Sequence, residues 1–91
     1  MDVSNTTGSD SDYKVTGGGG TRGPGGWIKL PGHRKVRHEV EHDEGPWKIE
    51  FKVAANGSEF KIFGRCNDPD AHVVLVERGG AYGVDVQTNG H

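Results

Sequence analysis

Trp47-Lys48-Ile49-Glu50-Phe51-Lys52-Val53 alternates apolar and charged residues without a break. A period of two marks an extended strand with one face buried and the other in water. Downstream of it, Ala55-Asn56-Gly57-Ser58 supplies a turn, since Asn-Gly accepts positive φ, and Phe60-Lys61-Ile62 resumes the alternation. Asn67-Asp68-Pro69-Asp70 reads as a loop. Val73-Val74-Leu75-Val76 is apolar on both faces, which suits a central strand. Arg78-Gly79-Gly80 then turns the chain into Tyr82, Val84 and Val86, alternating with Gly83, Asp85 and Gln87, so the last two strands form a hairpin.

Upstream the pattern weakens. Val36 and Val40 within residues 33–44 are either two strand alternations or one helical step apart, bracketed by Pro31-Gly32 and Gly45-Pro46. The β-rich surroundings favour a strand. Half of the 16 glycines fall within residues 1–26, where the only bulky apolar side chains are Met1, Val3, Tyr13 and Val15. That is too little apolar surface to offset the entropy of ordering the chain. The sequence therefore predicts a flexible glycine-rich arm over 1–26 and a single small β domain over 27–91. The expected fold is mainly β: one antiparallel sheet of roughly four to five strands with little or no helix. A core this small sits near the lower limit for a chain without staples.

The net charge is −2, so no global basic field draws the chain to nucleic acid or anionic lipid. Charge is blocked locally, with His33-Arg34-Lys35-Val36-Arg37-His38 basic and Glu39 to Glu44 largely acidic. There is no apolar run long enough to cross a bilayer and no apolar leader after Met1, and the lone Cys66 forbids an intrachain disulfide. An intracellular chain fits these features, as does a secreted one whose leader has been removed. No membrane partner and no cofactor are implied.

On a single sheet, one exposed face would gather Lys35, Arg37, Lys48, Glu50, Lys52, Asp85 and Gln87, with His72 on the central strand. Cations there would offset phosphodiester charge, and a carboxylate would take a proton from a ribose hydroxyl. The same residues also make an ordinary solvated face, laced with cross-strand ion pairs worth roughly 0.2–1 kcal/mol each.

Four segments within residues 31–90 resemble the fungal guanyl-specific ribonucleases, in the same order. Pro31-Gly32-His33-Arg34-Lys35 is similar to the family's Tyr-Pro-His-Lys/Arg stretch, and Glu50-Phe51-Lys52-Val53-Ala54-Ala55-Asn56-Gly57 to its Glu-Phe/Trp-Pro-Ile-Leu-Ser-Ser-Gly segment. Pro69-Asp70-Ala71-His72-Val73-Val74 resembles Pro-Gly-Ala-Asp-Arg-Val-Val, and Gly83-Val84-Asp85-Val86-Gln87-Thr88 resembles Gly-Val-Ile-Thr-His-Thr. The resemblance implies that Glu50 is the base acting on a ribose 2′-hydroxyl, with His33 holding or assisting it. His72 stands where the family has a phosphate-clamping arginine, and Gln87 stands where it has the general-acid histidine. An amide cannot release a proton to the leaving oxygen, and a histidine is a poorer phosphate clamp than arginine. His91 lies near enough in sequence to substitute only if the chain end folds back. Guanine recognition would map to Glu39 by spacing or to Glu44-Gly45 by motif. The family's N-terminal helix and disulfides have no counterpart here.

These departures imply a ribonuclease-like scaffold, catalytically impaired, that binds RNA or a host protein in the manner of secreted effectors. Its RNA contacts would be Lys35, Arg37, Lys48, Lys52 and Gln87. An active, metal-independent endoribonuclease using Glu50 and His33, with His72 in an unusual role, is the enzymatic alternative.

His38-Glu39-Val40-Glu41-His42 fits H-E-x-x-H, and a small zinc site or metalloprotease through His38 and His42 is the remaining class. Its charged flanks fit a solvated segment better. Arg22-Gly23-Pro24 and Arg78-Gly79-Gly80 are too few to make an RNA-binding tract. Cys66 reads as a semi-buried thiol, although Arg65 beside it could lower its pKa. Trp27 and Trp47 read as core or sheet-end packing, with stacking on a base as the sharper alternative.

Overall fold

The computed structural model describes residues 1–17, 20, 21, 26–40, 45–55 and 57–88, with residues 20, 21 and 55 described by backbone alone. In chain order the strands are β1 (Asp2–Asn5), β2 (Ser11–Gly17), β3 (Gly20–Thr21), β4 (Ile28–Leu30), β5 (Arg34–Arg37), β6 (Trp47–Ala55), β7 (Ser58–Cys66), β8 (His72–Arg78) and β9 (Ala81–Gln87). No helix among the described residues is long and apolar enough to cross a membrane. The mainly β expectation holds, and residues 33–44 contribute strand β5, with 41–44 outside the described residues.

The strands form two sheets rather than one. The back sheet runs β5-β1-β8-β9, and the front sheet runs β2-β6-β7 with β3 and β4 both paired to the other edge of β2. Their inner faces share one core. Val3, Val73 and Leu75 come from the back sheet and Tyr13, Ile49, Phe51 and Val53 from the front, all nearly or wholly removed from solvent. The period of two read from Trp47–Val53 is what sets this: Trp47, Ile49, Phe51 and Val53 are buried, while Lys48, Glu50 and Lys52 point outward. On β7, Gly64 allows the sheets to meet, because a Cβ there would sit 2.7 Å from Val84 Cγ1 of β9. The β8–β9 hairpin turns at Gly79 and Gly80, whose φ values of 59° and 86° suit the type I′ geometry such hairpins prefer.

The N-terminal stretch corrects the sequence expectation. Instead of belonging to a flexible arm, residues 1–17 supply β1 and β2, each lying inside its sheet. Strand β1 is parallel to β8 and antiparallel to β5, and β2 is antiparallel to β6. The physical reason is that its few apolar side chains all reach the core, with Met1, Val3 and Tyr13 buried and Val15 packed against them, while its polar groups are paired inside. Asn5 is 1% exposed, and its amide donates to Ser9 O (2.8 Å), Leu30 O (3.1 Å) and Ser11 Oγ (3.2 Å). Its carbonyl oxygen accepts from Thr7 N at 2.9 Å and from the Thr7 hydroxyl. Ser4, Thr7 and Ser11 are buried as well, and among the described residues every buried side-chain nitrogen and oxygen has a partner. A segment rich in Ser, Thr and Asn therefore enters the interior without an unpaired polar group.

Candidate functional site: the outer face of the front sheet

Strand alternation and register together dictate what faces outward. On the front sheet the register sets Asp12 against Lys52, Lys14 against Glu50 and Thr16 against Lys48 across β2 and β6. Across β6 and β7 it sets Lys48 against Arg65, Glu50 against Phe63, Lys52 against Lys61 and Ala54 against Glu59. Lys29 of β4 joins the same face opposite Asp12. Among the described residues this surface therefore carries six cations (Lys14, Lys29, Lys48, Lys52, Lys61, Arg65) and three carboxylates (Asp12, Glu50, Glu59). A chain of net charge −2 thus presents a locally positive face.

Two aromatic rings lie among these charges. Trp27, just before β4, sends its indole over the sheet rather than into the core. The ring centroid is 4.8 Å from Lys52 Nζ, 5.4 Å from Lys14 Nζ and 5.7 Å from Lys61 Nζ, so ammonium groups from three adjacent strands approach one indole. Such contacts are attractive because the ring face is electron-rich. Phe63 is 55% exposed, with Lys48 Nζ 4.8 Å and Arg65 Cζ 5.6 Å from its centroid. Lys52 also lies 4.0 Å from the Asp12 carboxylate, a long ion pair at the rim of a shallow depression of about 250 Å³ lined by Lys29, Ala54 and Glu59 among others.

The remaining candidates lie elsewhere. On the outer face of the back sheet, Arg37, Asp2, His72 and Gln87 form one register row and Lys35, Ser4, Val74 and Asp85 the next. His72 Nε2 is 2.7 Å from Ser4 Oγ, and Gln87 Nε2 donates to Asp85 Oδ2 at 3.4 Å. His72 and Gln87 are register partners across the β8–β9 hairpin. His33 occupies the turn before β5 with φ of 60°, its backbone amide donating to Thr7 O at 3.1 Å. Glu50, His33 and His72 consequently occupy three separate surfaces, and the single face expected from one sheet is divided. Lys48, Glu50 and Lys52 lie in front; Lys35, Arg37, His72, Asp85 and Gln87 lie behind.

The H-E-x-x-H segment finds another use for its first histidine. His38 Nδ1 lies 3.1 Å from the Tyr13 hydroxyl, and the two rings meet edge to face at 5.6 Å. His42 and Glu44 lie outside the described residues, and no group of three or more His, Cys, Asp or Glu among the described residues is arranged to hold a metal ion. Cys66 is buried, which pushes its thiol pKa up, while Arg65 points to the opposite face.

Trp47 packs in the core as expected, but Trp27 does not. Lys14, Lys61, Phe63 and Arg65 are absent from the binding residues expected from the sequence. For β7 the signal was present: Phe63 is out of phase with Phe60 and Ile62, so an aromatic ring stands on the parity of Lys61 and Arg65. No family model matches this chain, and neither a curated protein nor a solved structure is found to be similar to it.

Proposed function

We propose that the protein binds RNA across the outer face of its front sheet and does not cut it. One observation carries this reading: the Trp27 indole ringed by Lys14, Lys52 and Lys61. Ammonium groups around a half-buried surface aromatic ring are the paired chemistry that RNA needs, a point charge for the phosphate and a flat surface for the base. The excess of cations over carboxylates on this face favours a polyanion over a neutral or basic partner.

Two features speak for binding without cleavage. Cleavage through a 2′-hydroxyl needs a base and an acid within hydrogen-bond reach of the same phosphodiester. Glu50 stands on the front sheet, whereas His33 and His72 are on other surfaces, and Gln87 has no proton to give. In this setting the Glu50 carboxylate is a repulsive neighbour of the phosphates rather than a base. The secreted-effector role implied by the ribonuclease resemblance belongs to the same proposal and rests on that likeness.

The test is a fluorescence-anisotropy titration of a labelled RNA with the wild type and with Glu50→Gln, run beside a gel of the same RNA. Binding predicts intact RNA and an affinity raised about threefold in Glu50→Gln, the effect of removing one partly screened like charge roughly 7 Å away. EDTA-resistant cleavage that vanishes in Glu50→Gln would replace this reading with an endoribonuclease.

A further inference from the structure

Resting on the RNA reading above, the geometry points to a more specific ligand: we infer that the protein takes RNA as a single strand, with unpaired bases stacked on Trp27 and Phe63. Phe63 motivates this first. Strand alternation puts it on the polar parity of β7, opposite Glu50, and leaves it 55% exposed between Lys48 and Arg65. A large apolar side chain on a mostly charged face contributes nothing to the core, which lies on the other side of the sheet. Trp27 repeats the arrangement, with its indole among three ammonium groups.

The two rings share one face of the front sheet. Lys61, which touches Trp27, and Phe63 are successive outward positions of one strand, about 7 Å apart along it. Nucleotides of one strand can then meet both rings while Lys52, Lys61 and Lys48 sit alongside for the phosphates. In a duplex the base faces are covered by their neighbours in the stack, so a flat protein face reaches only backbone and groove edges. Two aromatic platforms are of use only to bases that have left a helix. Lysine offers donors and no acceptors, so contact through the lysines and the two rings reads charge and ring area and tolerates any sequence.

The test compares a single-stranded RNA of mixed sequence with its own duplex at fixed salt, using wild type, Trp27→Leu, Trp27→Phe, Phe63→Leu and Lys52→Glu. Binding is followed by anisotropy and by tryptophan emission, in which buried Trp47 is a silent background. The expected result is at least roughly tenfold tighter binding of the single strand, and a loss of roughly five- to a hundredfold in Trp27→Leu and in Phe63→Leu. Trp27→Phe should retain most of the affinity, and emission should be quenched in the wild type but not in Trp27→Leu. Equal affinity for the duplex, or leucine variants that bind like wild type while Lys52→Glu is weakened, would overturn single-strand stacking and leave RNA binding standing. Absence of binding by either form of RNA would overturn both.

Discussion

His38 shows how one residue's chemistry is reassigned by its surroundings. His38 Nδ1 shares a hydrogen bond with the Tyr13 hydroxyl, a group able to donate or accept. Burial holds the His38 pKa below its ordinary value of 6.5, and the positive charge at Met1 acts in the same direction against a smaller opposing pull from Glu39. Burial likewise pushes the Tyr13 pKa up, which keeps the phenol protonated. In the unfolded chain the ring protonates near 6.5, and in the folded protein it does so only at lower pH. Between those values the unfolded state binds the extra proton, so the stabilisation present above 6.5 is lost as the pH falls through the folded value. Melting temperatures taken between pH 7 and about 5 should fall, and the fall should flatten in His38→Gln. An unchanged pH profile in that variant would contradict this. The sequence offered His38 only as half of a zinc motif, because its partner Tyr13 lies 25 positions away and no local pattern joins them.

Among the elements, β6 and the β8–β9 hairpin were legible because their information is local. Four buried residues at a period of two define the first, and Gly79-Gly80 between apolar runs defines the second. Strand β1 was not legible. Its position depends on parallel pairing with β8, about 70 residues later, and on hydrogen bonds that composition does not reveal. Counting apolar side chains in residues 1–17 finds too few, whereas Asn5 ties the β1–β2 loop to β4 through Leu30 O and holds the corner where the chain passes between sheets. Asn5→Ala strands several buried partners of that amide at once. The expected loss is about 1–3 kcal/mol of unfolding free energy, the cost of leaving buried polar groups unsatisfied, measured by urea denaturation. A variant as stable as wild type would return residues 1–17 to the status of a dispensable arm.

At the scale of the whole molecule, two sheets rather than one decide what the surface can do. A single sheet with one free face would have collected Glu50, His72 and Gln87 together; a sandwich gives each sheet its own outer face and separates them. That division removes the assembled acid–base set and leaves a front face whose charge runs opposite to that of the chain. Lys48 and Lys52 of that face were legible in the alternation of β6. Lys14 was hidden in the presumed arm, and Trp27 was hidden because the residues preceding a three-residue strand carry no period. The most direct measurement is the salt dependence of single-stranded RNA affinity. Neutralising one phosphate with each of Lys48, Lys52 and Lys61 predicts a slope of log K against log salt of about −2, steeper if Lys14 and Arg65 also take part. Lys52→Gln should reduce the slope by about 0.7. A slope near zero, or one that Lys52→Gln and Lys61→Gln both leave unchanged, would mean that RNA does not lie on this face.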